Sequence, residues 1–176
     1  MMFIAEETPI QVISKTKLPE MTLISTKISA MAALDTATLP LWLALLLRRL
    51  RKVAIVAPQW MTPTELELRI AEEQAHPDRV SHMPWQWLEV SERLLNEASQ
   101  DFTFSPHDTR SLIATLAELR QNKARAGFAS MDGEYLELTG LGAREVDQLR
   151  PLVGSTMHKL SQLAAVEPET EVEIEN

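Results

Sequence analysis

A chain of 176 residues is enough for one medium domain or two small ones. With 45% hydrophobic but only 5% aromatic residues, its core must be built mainly of Leu, Ala, Ile, Val and Met. The absence of cysteine excludes a disulfide scaffold, a thiolate metal site and a cysteine nucleophile, and it fits a reducing interior. The net charge of -8 is uneven: residues 1–60 carry seven Lys/Arg against four Asp/Glu (+3), and residues 61–176 ten against twenty-one (-11), which argues against broad duplex-DNA binding.

The first residues, Met1 to Glu7, lack a basic leader and a long apolar stretch, so no signal peptide is read and a soluble intracellular protein is expected. Ile10 and Val12, then Met21 and Leu23, alternate with polar residues at period two. This pattern predicts a small β unit of about three strands over residues 3–29, punctuated by Pro9 and Pro19. From Leu39 a proline-started helix, apolar nearly all round, runs into the basic cluster Arg48, Arg49, Arg51, Lys52. A helix of that kind is buried on every side or spans a membrane. Its apolar run, 41–47, is far below the ~18–20 residues that crossing a bilayer needs. Burial is therefore expected, with Leu43, Leu46 and Leu47 in the core and Trp42 at a seam or against a partner. A short strand over 53–57 follows.

After Trp60 the pattern becomes helical. Thr62-Pro63-Thr64-Glu65 reads as a capping box opening a helix that runs to Ala75. Further helices are predicted over 84–99, from Ser105 to Arg125, and from Arg144 to Ala165, with a kink or break at Pro151. Residues 127–133 read as a loop. The tail 167–176 has five glutamates in ten residues and reads as disordered. The expected class is α+β, mainly helical, with a small β-rich domain (1–60) containing a buried helix, an α-helical domain (61–166) and an acidic tail (167–176). Trp85, Trp87, Leu88, Val90, Leu94 and Leu95 exceed what a few helices can bury among themselves. That surplus predicts an obligate subunit, aggregating or molten when alone.

The chemistry-bearing residues are sparse. His76-Pro77-Asp78 spells the tripeptide of J-domain co-chaperones, but the preceding helix is acidic where that function needs basic residues. The histidines His76, His82, His107 and His158 form no pair at zinc-binding spacing, so no metal and no cofactor is expected. Neither a glycine-rich phosphate loop nor a G-x-S-x-G elbow occurs, and no enzyme is read. The Arg48–Lys52 cluster has two readings: helix-end cations that favour the unsatisfied carbonyls of the last turn, or a nuclear-localisation or phosphate-binding patch. Trp85 and Trp87 point about 200° apart on a helix, so one should be core and the other more exposed. Tryptophan is a frequent interface anchor.

The blocks Pro40-Leu41-Trp42-Leu43-Ala44, Arg48-Arg49-Leu50-Arg51-Lys52, Val53 to Val56 and Pro58-Gln59-Trp60-Met61 together resemble a subunit of the eukaryotic GINS complex. The type is the second "partner of Sld five". Leu94-Leu95-Asn96-Glu97-Ala98-Ser99, Asp108 to Ile113, and Leu138-Thr139-Gly140-Leu141 with Glu145-Val146 and Arg150-Pro151-Leu152 extend the resemblance. The loop 126–137 does not match. The resemblance implies a non-catalytic, nuclear scaffold of DNA replication, assembled with three sister subunits and joining the Cdc forty-five protein and the MCM helicase ring. DNA contact is expected to be indirect or weak, with no membrane and no small-molecule substrate. The candidate partner-facing residues are Trp42, Trp60, Trp85, Trp87, Arg48, Arg49, Arg51 and Lys52. The alternatives are a co-chaperone using His76-Pro77-Asp78, or a small nucleic-acid-binding module using the basic cluster.

Overall fold

The computed structural model describes residues 2–23, 27–77, 79–129 and 140–164. In chain order the elements are α1 (Met2–Ala5), β1 (Pro9–Ser14), β2 (Met21–Thr22), β3 (Lys27–Ile28), β4 (Thr36–Pro40), α2 (Leu41–Arg49) and β5 (Val53–Ile55). There follow a 3-10 turn at Gln59–Met61, α3 (Pro63–Ala75), α4 (Trp87–Glu97), a 3-10 turn at Ser99–Asp101, α5 (Pro106–Ala129) and α6 (Ala143–Ala164). A small antiparallel sheet precedes the helices, as the α+β reading requires.

β1 is the centre of a three-stranded sheet in the order β4-β1-β5, and β2 and β3 form a separate two-stranded ribbon. Ile10, Val12 and Ser14 point inward from β1, while Pro9 and Gln11 are exposed. The inner face packs on α2, which buries Leu41, Leu43, Ala44, Leu45 and Leu47. Three details differ from the sequence reading. Residues 2–5 are a helical turn and not strand. Residues 36–40 form β4, with Pro9 opposite Pro40, so the following helix begins at Leu41. Pro40 is extended (φ -56°, ψ 143°) and stands outside that helix as its cap. Third, α2 is not buried all round: Leu46, expected in the core, is 46% exposed, and Leu50, just past the helix end, is 59% exposed. Sheet and helices cover one side of α2 and leave the other open.

The apolar core is continuous from Ala5 through the sheet and α2 to Trp87, Leu94 and Leu116 in the helical part. Trp87, Val90, Leu94 and Leu95 on α4 are all buried within this one chain. The expected surplus of apolar surface therefore shrinks to Trp85, with Leu88 half-buried. α4 is covered by α5 on one side and by the N-terminal part on the other, a partner that helix counting leaves out.

Thr62 makes no capping bond; its Oγ1 donates to the Gln59 carbonyl (2.9 Å). Pro63 starts α3 without it, its fixed φ suiting a first helical turn. α5 continues past the expected end, through Gly127, to Ala129. α6 runs through Pro151 without a break. The acidic tail and most of the 126–137 loop lie outside the described residues.

Candidate interaction site

Where the sheet meets the helices, Thr8, Pro9 to Gln11 of β1, Val56 to Trp60 and Pro84 to Gln86 line an open groove of about 730 Å³. Trp60 and Trp85 both line it. Met61, fully buried, anchors the turn that carries Trp60. The Gln86 amide oxygen accepts from Thr8 Oγ1 (3.0 Å) and ties the two walls. Trp85 is 56% exposed. The lining has no charged side chain, so it suits apolar and neutral polar groups.

The other expected site residues lie elsewhere. Trp87 is 1% exposed and belongs to the core, a correction to its reading as partner-facing. One of the pair is core and the other exposed, as expected, but not through a shared helix: α4 begins at Trp87 and Trp85 lies in the turn before it. Trp42 is half-buried against the core, its main-chain N–H donating to the Glu6 carbonyl (3.0 Å). The basic cluster is split. Arg48 donates to Asp101 (2.7 Å) and to the Glu97 carbonyl. Arg49 donates to the Glu97 carboxylate (2.6 Å). The Asp101 carboxylate also accepts the Ile55 N–H (3.1 Å), so one acid holds the end of α2 and the edge of β5. Glu6 pairs with Arg93 and completes this seam. Arg48 and Arg49 thus join the two parts of the chain internally, while Arg51 and Lys52 stay exposed.

Behind the Trp85 wall lies a polar cluster not foreseen from the sequence. Arg120 of α5 is fully buried. Its Nε and one terminal nitrogen donate to Glu145 (2.7 and 2.9 Å), and that same nitrogen donates to the Gly140 carbonyl (2.7 Å). The other terminal nitrogen donates to the Ser81 carbonyl (2.6 Å) and to Glu73 (3.1 Å). All five guanidinium protons have acceptors. Glu73 also accepts from Ser81 N–H (2.8 Å), Ser81 Oγ (2.6 Å) and the Lys123 ammonium. Burial pushes the Glu73 pKa up, but the hydrogen bonds from Lys123 and Ser81 and the Lys123 charge outweigh it and hold it below its ordinary value.

This cluster shapes the groove wall. Glu145 reaches back to the Gly142 N–H (2.6 Å), as the third helical residue of a capping box does. Ala143 N–H donates to the Trp85 carbonyl (2.6 Å). A Cβ on Gly142 would stand 2.9 Å from the Trp87 ring, so only glycine lets the start of α6 approach so closely. Arg120 lies 5.7 Å over the Trp87 ring. Trp87 Nε1 finds no acceptor among the described residues. One signal could have found Arg120: it continues the Ile113–Leu116 stripe at helical spacing, an arginine on an apolar face.

His76 is half-buried at the end of α3, where its carbonyl accepts from Lys123 (2.6 Å); Pro77 is exposed and Asp78 lies outside the described residues. His82, His107 and His158 are exposed. No group of three or more metal-ligating side chains occurs among the described residues, and none of their helices is long and apolar enough to cross a membrane.

Residues 1–56 match the PSF2 N-terminal domain, and residues 60–164 match the GINS complex protein helical bundle domain. The second match spans His76-Pro77-Asp78, which removes the basis for the co-chaperone reading. Among curated proteins, the DNA replication complex GINS protein PSF2 of Debaryomyces hansenii is 35% identical over 161 residues, covering 92% of this chain and 78% of the relative. Its Saccharomyces cerevisiae counterpart is 40% identical over 133 residues, covering 76% of this chain and 62% of the relative. The Schizosaccharomyces pombe protein is 31% identical over 169 residues, covering 96% and 91%.

Proposed function

The chain belongs to the PSF2 family of GINS proteins, and from that premise we propose that it is a non-catalytic structural subunit of a GINS complex in DNA replication. It assembles with three sister subunits in the nucleus and, through that tetramer, serves the replicative helicase with the Cdc forty-five protein and the MCM ring. The observation that carries the reading is Trp85. It is 56% exposed at the rim of a groove between the sheet and the helices, and a cluster of buried charges backs the segment that holds it. A large aromatic held rigid in the open loses little entropy on docking and suits an interface anchor.

Trp60 and Trp85 meet a sister subunit in this reading, with Trp42 at the margin of the contact. The chain divides functionally near residue 60, and the acidic tail 167–176 is dispensable for assembly.

Co-expression with the three sister subunits, followed by native mass measurement, tests the proposal. The expected species contains one copy of each. Trp60→Ala with Trp85→Ala should weaken this chain's retention while leaving its own melting temperature close to the parent's. Deleting 167–176 should change neither stoichiometry nor melting. A chain that purifies as a lone monomer in the presence of all three sisters refutes the assembly reading.

A further inference from the structure

Arg51 and Lys52, the part of the basic cluster left out of the seam, meet two lysines from a distant part of the chain. β1 and β5 are antiparallel with Ser14 opposite Val53, which sets Lys15 opposite Lys52 one step further. The Lys15 N–H donates to the Lys52 carbonyl (2.8 Å). Lys17 follows two residues on, and all four side chains are exposed. None of the four has a carboxylate at ion-pair distance among the described residues; Arg79, Arg110, Arg125 and Arg150 also lack one, but Lys15 and Lys52 are set directly opposite each other across paired strands. Asp35, which accepts the Ser14 N–H at its carbonyl, turns its carboxylate back onto the Ala32 N–H (2.7 Å).

Two features of this corner work against the fold. Like charges directly opposite across strands repel. Arg51 has φ 57°, the left-handed position that ends α2, with its N–H on the Arg48 carbonyl (2.8 Å) and the Lys52 N–H on the Leu47 carbonyl (2.9 Å). Glycine fits that position best. Interaction with the carbonyls closing α2 accounts for cations on the helix, but Lys15 and Lys17 belong to no helix.

We propose that Lys15, Lys17, Arg51 and Lys52 form a docking surface for a short acidic segment of a partner protein. Charge complementarity selects an anion. A short peptide fits better than a nucleic-acid strand for two reasons. Residues 61–176 carry a net -11 and repel a long polyanion that runs beyond the patch. Its exposed tryptophan, Trp85, lies in the groove at the opposite end of β1, out of place for stacking bases bound here. The proposal does not rest on the assembly reading above.

The test is fluorescence anisotropy with the full-length chain and three labelled probes: a Glu-Ser repeat peptide, a Gln-Ser repeat peptide and oligothymidylate. The Glu-Ser peptide should bind best, with affinity falling as salt rises. Lys15→Ala with Lys52→Ala should weaken it about tenfold, whereas Arg125→Ala with Arg150→Ala, the same loss of charge elsewhere, should not. Lys52→Glu should both abolish binding and raise the melting temperature, since Lys15 then faces an acid. Equal binding of the two peptides, full binding by the Lys15/Lys52 double variant, or preference for oligothymidylate over the Glu-Ser peptide would each overturn the proposal.

Discussion

Two arginine clusters hold this chain, and they do so in different dielectric settings. Arg120 sits among Glu73, Glu145 and Ser81 with no exposed side-chain surface, whereas the Arg48 and Arg49 side chains at the seam are 17% and 66% exposed. A fully buried guanidinium has lost its hydration, so every donor must be matched, and the five acceptors then dictate where α3, α5, α6 and the turns at Ser81 and Gly140 stand. The seam pairs keep some water and fix the approach of sheet to helices at lower stakes. Buried charge here specifies geometry within the helical part, and half-exposed charge joins the two parts.

The largest effect should come from Arg120→Met. It leaves Glu145 buried without its cation and costs about 3–5 kcal/mol. For a chain of this size that is a melting drop on the order of 10 °C by calorimetry. If the variant melts within a degree or two of the parent, buried charge is not what organises the helices.

Acid should reproduce part of that loss. Glu73 has its pKa lowered on folding, so its stabilisation is complete above the ordinary value of 4.5 and disappears as pH falls through the lower folded value. Denaturant midpoints measured down the pH scale should fall in that window, and Glu73→Gln should flatten the fall. Gly142→Ala tests the same cluster through packing: its new methyl meets the Trp87 ring and should cost about 1–3 kcal/mol.

At the seam, Asp101→Ala removes the acceptor for both Arg48 and the Ile55 N–H. The expected cost is about 1.5–3 kcal/mol, nearer the lower end because the pair retains some solvent. Arg49→Ala should cost less than ~1 kcal/mol, and that small cost should vanish at high salt. A loss from Arg49→Ala equal to that from Arg120→Met would erase the distinction between the clusters.

Much of the architecture is legible locally. Period-two alternation at Ile10 and Val12 marks β1, Pro63 marks the start of α3, and the stripes through Leu94 and Leu116 mark α4 and α5. These signals depend on near neighbours and survive without knowledge of the fold. β4 is harder, because Thr36 to Pro40 becomes a strand only once β1 lies beside it. Leu46 reads as core because its helix is apolar, yet exposure depends on which side the sheet covers.

The candidate site divides in the same way. Trp60 and Trp85 stand out by residue type, and their opposition to Trp42 and Trp87 follows only from where the chain returns. Arg120, Glu73 and Glu145 look like ordinary helix charges until three helices converge on them. Residue type and short-range spacing are enough to mark β1, β5, the long helices and the family, but not β4 or the helical turn at Met2–Ala5. Which charges are used inside the molecule and which remain on its surface depends on how distant segments meet. Lys15 meets Lys52, and Arg48 meets Asp101, through contacts that no local pattern records.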